Sequence, residues 1–230
     1  MIMKKKIFIA CDSTNIKELK NIIKNTQTNE INIGYKFGLE LFNSKNGRKF
    51  ISQIRNRNIW LDLKLYDIPN TVGSSISSLR DLKNINYLTV HISGGFEMLL
   101  NAKKAAKKIN KNLKIFGVTI LTSFNNKTLK DVGFTSPIKK IVLKQVMIAK
   151  KAALDGVVCS GYEAGFVKKK FSGEIITPGI RFFGDGKQDQ KRIMTPAKAF
   201  DNGATSIVIG RSITKGNIKK NLKKLINSFN

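Results

Sequence analysis

The stretch that decides the fold is Trp60-Leu61-Asp62-Leu63-Lys64-Leu65-Tyr66-Asp67-Ile68-Pro69-Asn70. Residues 59–65 alternate with period two, as a β-strand does, so Leu61, Leu63 and Leu65 share one face and Asp62 and Lys64 the other. Side chains two apart in a strand lie roughly 6.5 to 7 Å apart, which brings a carboxylate and an ammonium into one small space. Burying charges costs several kcal/mol per ion, about what only good pairing offsets, so a filler ion pair is one reading and a functional pair the other. Beyond the strand, Asp67 precedes Ile68-Pro69, where the chain is pushed toward extended geometry. It reads either as a solvated loop residue or as a group that faces something other than its own strand.

Working outward, seven more β-rich runs recur along the chain. The eight are Lys6 to Ala10, Ile31 to Lys36, Ile59 to Leu65, Tyr87 to Ile92, Lys114 to Leu121, Gly156 to Ser160, Glu174 to Ile180 and Ser206 to Gly210. Between them, stretches such as Phe96 to Ile109 and Pro137 to Leu154 carry apolar residues at three- and four-residue spacing among lysines, the mark of amphipathic helices. Eight alternating units in 230 residues fit an α/β fold of one closed (β/α)8 TIM barrel better than an open doubly wound sheet. No G-x-G-x-x-G follows the first run, which weighs further against a dinucleotide-binding sheet. No Pro/Gly/Ser-rich linker divides the chain, so residues 1–230 are expected to form one domain. A barrel also says where chemistry belongs: at the C-terminal ends of its strands.

Composition narrows the class. Lys+Arg number 42 against 15 Asp+Glu, a formal net charge of +27, which first suggests a nucleic-acid binder. The excess is carried by 35 Lys and only 7 Arg, and 30 Ile and 22 Asn are inflated alongside. The lysines are spread through every segment, whereas nucleic-acid surfaces concentrate charge on one face and use Arg forks. A composition-wide bias explains this better than a polyanion surface, and neither a nucleic-acid nor a membrane partner is expected. Cys11 and Cys159 are far apart and the chain has one His, so neither a zinc site nor a disulfide framework is indicated. The apolar run Ile7 to Cys11 is too short for a signal-peptide core, and no run approaches the ~20 apolar residues that span a bilayer. A soluble, unprocessed cytoplasmic protein is expected.

Polar residues fall where the barrel requires them. Asp12 follows the first run, Lys36 ends the second, Asp62 and Lys64 lie on the third, His91 nears the end of the fourth, and Thr122 follows the fifth. Arg181 follows the seventh run and Arg211 the eighth. Ile176 through Gln190 to Pro196 combine a strand, an Arg at its end and a long Gly-containing loop before the next helix, the construction of a lid. Gly210 and Arg211 after the eighth run suit a phosphate, through close backbone approach and a bidentate fork. The competing reading there is an ordinary turn with a surface Arg.

Taken together, these residues resemble the bacterial orotidine 5'-phosphate decarboxylases. The resemblance rests on Asp62-Leu-Lys64-Leu-Tyr-Asp67-Ile-Pro-Asn-Thr71, Val90-His91-Ile-Ser-Gly-Gly95, Val118-Thr-Ile-Leu-Thr122-Ser, Asp155-Gly-Val-Val-Cys-Ser160, and Thr177-Pro-Gly-Ile-Arg181 through Gln190 to Gly210-Arg211. It implies conversion of orotidine 5'-phosphate to UMP and CO2, the last step of de novo UMP synthesis, with no metal and no cofactor. It further implies Lys64 as proton donor to C6, with Asp62, Asp67 and Lys36 completing a charge array. Asp12 and Lys36 would contact the ribose, Thr122 the pyrimidine, and Arg181, Gln190, Gly210 and Arg211 the phosphate. Asp67 and Thr71 would come from the other subunit of a homodimer. His91, though the chain's only histidine, is then a supporting residue and not a base. The rival readings are a metal-dependent keto-sugar-phosphate decarboxylase of the same superfamily and a basic nucleic-acid-binding protein without catalysis.

Overall fold

A computed structural model describes residues 4–185 and 194–229. Eight parallel strands close into a barrel in chain order: β1 Lys6–Ala10, β2 Asn32–Gly38, β3 Asn58–Leu65, β4 Tyr87–His91, β5 Lys114–Val118, β6 Gly156–Val158, β7 Glu174–Ile180 and β8 Ser206–Ile209. The helices are α1 Ile16–Asn25, α2 Leu39–Phe42, α3 Gly47–Gln53, α4 Pro69–Ser77, α5 Gly95–Ile109, α6 Asn126–Asp131, α7 Ile138–Lys151, α8 Gly161–Lys168, α9 Pro196–Asp201, α10 Arg211–Thr214 and α11 Ile218–Asn227. Local signals set their starts: the Asn15 side chain accepts from the Lys17 and Glu18 N–H groups, Ser160 and Glu163 form a capping box, and Pro69 opens α4.

All eight expected strands are present, with differences at their ends. Lys36 does not terminate β2, because Phe37 and Gly38 still pair with Leu61 and Asp62. β5 and β6 stop at Val118 and Val158, short of the expected Leu121 and Ser160. A larger difference lies in β3. Leu61 pairs with Leu88 and Leu65 with Val90, so β3 advances four residues while β4 advances two. Lys64 sits in this bulge with φ +49°, a left-handed conformation that costs a β-carbon-bearing residue about 1–2 kcal/mol. The even period-two strand expected from residues 59–65 is therefore broken at its functional end.

Two apolar layers hold the barrel. Outside, Ile7, Ile9, Leu61, Leu88, Val90, Ile175 and Ile207 pack under the helices; inside, Phe8, Trp60, Tyr87, Phe116, Val158, Ile176 and Val208 fill the lumen. Phe8 meets Trp60 and Tyr87 edge to face at 5.2 and 5.0 Å, and Tyr87 meets Phe116 at 5.3 Å. Glycine makes room for these rings: a Cβ on Gly34 would lie 2.6 Å from Phe8, and one on Gly156 2.4 Å from Phe116.

Below the aromatic layer, at the N-terminal end, Glu174 accepts from Lys6 at 2.8 Å and from Lys114 at 2.5 Å, while Lys6 also donates to the Tyr87 hydroxyl at 2.9 Å. Burial alone would raise the Glu174 pKa, but the two ammonium groups outweigh it and lower it. A depressed folded-state pKa means stability present above the unfolded value near 4.5 and lost as pH falls through the folded one. Glu174→Gln is accordingly expected to destabilise the barrel by about 1–2 kcal/mol at pH 7, discounted for partial solvation. In urea titrations the gap from the parent should shrink below pH 4; a pH-independent gap would show that the charge is not the cause.

Candidate active site

At the C-terminal end the lumen opens into a cavity of about 680 Å³, a volume suited to a small-molecule ligand. Its apolar wall is Ala10, Trp60, Val118, Ile120, Val158 and Val208. Its polar wall carries most of the residues singled out in the sequence: Asp12, Lys36, Asp62, Lys64, Thr122, Arg181, Gly210 and Arg211 all line it.

Four of them form an alternating chain of charge. Asp12 Oδ1 lies 3.1 Å from Lys36 Nζ, Lys36 Nζ 3.4 Å from Asp62 Oδ2, and Asp62 Oδ2 2.8 Å from Lys64 Nζ. The order follows from strand adjacency, since Asp12 leaves β1, Lys36 is on β2 and the last pair on β3. Burial alone would lower the Lys36 pKa, yet Asp62 and Asp12 outweigh it and raise it. Burial alone would raise that of Asp62, yet Lys36, Lys64 and hydrogen bonds from Lys64 and Thr89 lower it. Both groups are thus ionised at neutral pH. Lys64 differs from its partner in access: its side chain is 34% exposed against 9% for Asp62, so of this pair the ammonium is the group a ligand can reach.

Across the mouth, Arg181 follows β7 and Arg211 opens α10. Arg181 is 7% exposed; burial and then the neighbouring Arg211 cation lower its pKa. Its Nη1 donates to the Ile180 carbonyl at 3.0 Å, while its Nε has no acceptor among the described residues. Two cations held together with an unused donor make a place for an anion. A Cβ on Gly210 would lie 3.4 Å from that of Ala10, an ordinary van der Waals contact on the cavity wall. The loop after β7 is tied to this corner: Asp185 accepts from Ser212 Oγ at 2.5 Å and from the Phe182 N–H at 3.3 Å.

Two candidates fall elsewhere, and a third is not described. Asp67 and Thr71 are exposed and do not line the cavity; among the described residues the Asp67 carboxylate accepts only a local bond, from the Ile68 N–H at 2.7 Å. Within one chain the charge array therefore runs Asp12, Lys36, Asp62, Lys64 and does not reach Asp67. Gln190 lies outside the described residues. His91 stands beside the site with its ring 5.7 Å from that of Tyr66, its pKa lowered by burial and by Lys64. One participant escaped the sequence reading: Thr89, fully buried on β4, whose hydroxyl contacts both Asp62 and Lys64. Its only signal was a polar residue between Leu88 and Val90.

The sequence profile of the "Orotidine 5'-phosphate decarboxylase / HUMPS family" matches residues 5–224. An orotidine 5'-phosphate decarboxylase of Buchnera aphidicola is 42% identical over 224 residues, covering 96% of this chain and 92% of the relative. One from Fusobacterium nucleatum is 40% identical over 218 residues, covering 92% and 90%. Among solved structures, the orotidine 5'-phosphate decarboxylase of Lactobacillus acidophilus superposes with a TM-score of 0.82 at 29% identity, covering 98% of this chain and 99% of that one. The fold is also that of the Methanocaldococcus jannaschii orotidine 5'-monophosphate decarboxylase complexed with the inhibitor BMP, with a TM-score of 0.77 at 21% identity over 99% of both chains. With its barrel, its charged cavity and these relatives, the chain belongs to the orotidine 5'-phosphate decarboxylase / HUMPS family, as an enzyme of its decarboxylase branch.

Proposed function

We propose that this protein decarboxylates orotidine 5'-phosphate to UMP and CO2, closing de novo pyrimidine nucleotide synthesis, with Lys64 as the proton donor. The observation that carries this reading is the reach of Lys64 into the cavity at the end of a buried charge chain, opposite two arginines. Cleavage of the bond between C6 and the carboxylate leaves an electron pair on C6, which has no adjacent carbonyl to accept it. A preorganised ammonium offsets that charge, then gives C6 a proton and is reprotonated from solvent.

The other residues take roles consistent with their positions. Asp62 holds the Lys64 ammonium in place; Asp12 and Lys36 serve the ribose, Thr122 the pyrimidine, and Arg181, Gly210 and Arg211 the phosphate. Gln190, outside the described residues, joins the phosphate contacts by family resemblance alone. The grip on the phosphate is remote from the reacting bond, and its binding energy can be realised in the transition state. Asp67 and Thr71, which are exposed and do not line the cavity of their own chain, would complete the site of a second copy in a homodimer. Exposed Tyr66 and Ile68, the chain neighbours of Asp67, are apolar surface that such a contact would cover. Residues 1–230 would act as one domain in the cytoplasm, without a cofactor. Among the described residues no helix is long and apolar enough to cross a membrane.

No metal is required in this scheme, because the Asp62 carboxylate is already held by two ammonium groups, which compete for the oxygens a divalent cation would use. Ultraviolet monitoring of orotidine 5'-phosphate by EDTA-treated protein should show full turnover. Activity restored only by added divalent metal, or seen only with a keto-sugar phosphate, would overturn the proposal; salt-sensitive RNA binding without turnover would favour the nucleic-acid reading.

A further inference from the structure

Three residues of β3, Asp62, Leu63 and Lys64, lie opposite a single residue of β4, because the register moves from Leu61↔Leu88 to Leu65↔Val90. Thr89 is that single residue. On its other side it is regular, paired with Phe116 of β5, so the irregularity belongs to β3 alone. A bulge leaves backbone groups without ladder partners, and buried ones must be satisfied some other way. Here the Lys64 N–H donates to Thr89 Oγ1 at 3.0 Å. The same hydroxyl donates its proton to Asp62 Oδ1 at 2.9 Å. A hydroxyl has one proton and two lone pairs, so the two bonds use it in complementary directions.

We infer that Thr89 is the positioning residue of the Asp62/Lys64 pair, holding the carboxylate by its side chain and the left-handed Lys64 by its backbone through one hydroxyl. Four observations converge on it: the bulge, the φ of +49° at Lys64, complete burial of Thr89, and a bond to each partner. The Asp62 oxygen that Thr89 holds, Oδ1, is not the one that receives Lys36 and Lys64, Oδ2. Thr89 thereby fixes the rotation of the carboxylate so that Oδ2 stays turned to both ammonium groups. The branched Cβ limits χ1 and keeps the hydroxyl in place. Thr89 does not line the cavity, so it acts through its two partners and not on a ligand.

This inference rests on the proposed decarboxylation, and the assay separates the two. Thr89→Val keeps shape and burial while deleting the hydroxyl; Thr89→Ser keeps the hydroxyl. With orotidine 5'-phosphate, Thr89→Val is expected to lose about 30- to 300-fold in kcat with KM changed by less than about threefold, since misplacement of reacting groups is paid mainly in the chemical step. Thr89→Ser should recover to within about fivefold of the parent kcat. A Thr89→Val kcat within threefold of the parent, a loss confined to KM, or a Thr89→Ser variant no better than Thr89→Val would overturn the assignment. Should Thr89→Val fail to fold, Thr89→Ala takes its place with the same outcomes. An inactive parent protein would instead overturn the proposed function and, with it, the positioning role in catalysis assigned to Thr89.

Discussion

Lys64→Ala is expected to lower kcat/KM for orotidine 5'-phosphate by at least ~10⁴-fold while the barrel stays folded. The size follows from two losses in one substitution. Removing a single preorganised donor from a developing negative charge costs about 2.7–4 kcal/mol, and an ammonium in a closed cavity offers more than a neutral donor. The same group is the proposed proton source, and general acid catalysis contributes about 10²–10⁴-fold by itself. Together these exceed about 5.5 kcal/mol, or four powers of ten. Folding should survive because the Asp62 carboxylate keeps Lys36 at 3.4 Å and Thr89 at 2.9 Å. Circular dichroism and the ultraviolet assay on the same preparation test both halves. Activity within tenfold of the parent in the folded variant would rule out Lys64 as proton donor.

That expectation rests on residues that are legible in the chain, and the reason is local. Strand periodicity and the position of a strand's C-terminal end are properties of five to eight consecutive residues, so Asp62, Lys64, Arg181 and Arg211 could be located from spacing. Barrel closure then sets neighbours, and adjacency of β1, β2 and β3 turns three separate loci into one charge chain. What escaped depends on pairing between distant segments. The bulge in β3 exists only against β4, and nothing in the alternation of residues 60–65 announces a left-handed Lys64. Thr89 has the same character: its meaning comes from facing three residues some 25 positions earlier. The +27 charge was the loudest compositional signal and says least about the cavity, which Lys36, Lys64, Arg181 and Arg211 line.

The placement of Asp67 leads to the second large effect. It is exposed, outside the cavity and, among the described residues, bonded only to its neighbour's N–H, so in an isolated chain its loss should be nearly silent. If it serves the site of a second copy, Asp67→Ala should instead lower turnover by ~10²–10⁴-fold, the cost of losing a charged group at a reacting centre. Mixing distinguishes the two cases. In a heterodimer of Lys64→Ala and Asp67→Ala chains, one site combines both lesions and the other combines an intact Lys64 with an intact Asp67. Random reassortment of equal amounts makes half the dimers mixed, each with one whole site, so activity should climb from near zero to about a quarter of the parent. The recovery should follow subunit exchange in time, tracked by differently tagged chains. Demonstrated heterodimers that stay inactive would exclude a shared site, and an Asp67→Ala chain as active as the parent would return Asp67 to the solvent, as a loop residue with no part in the reaction.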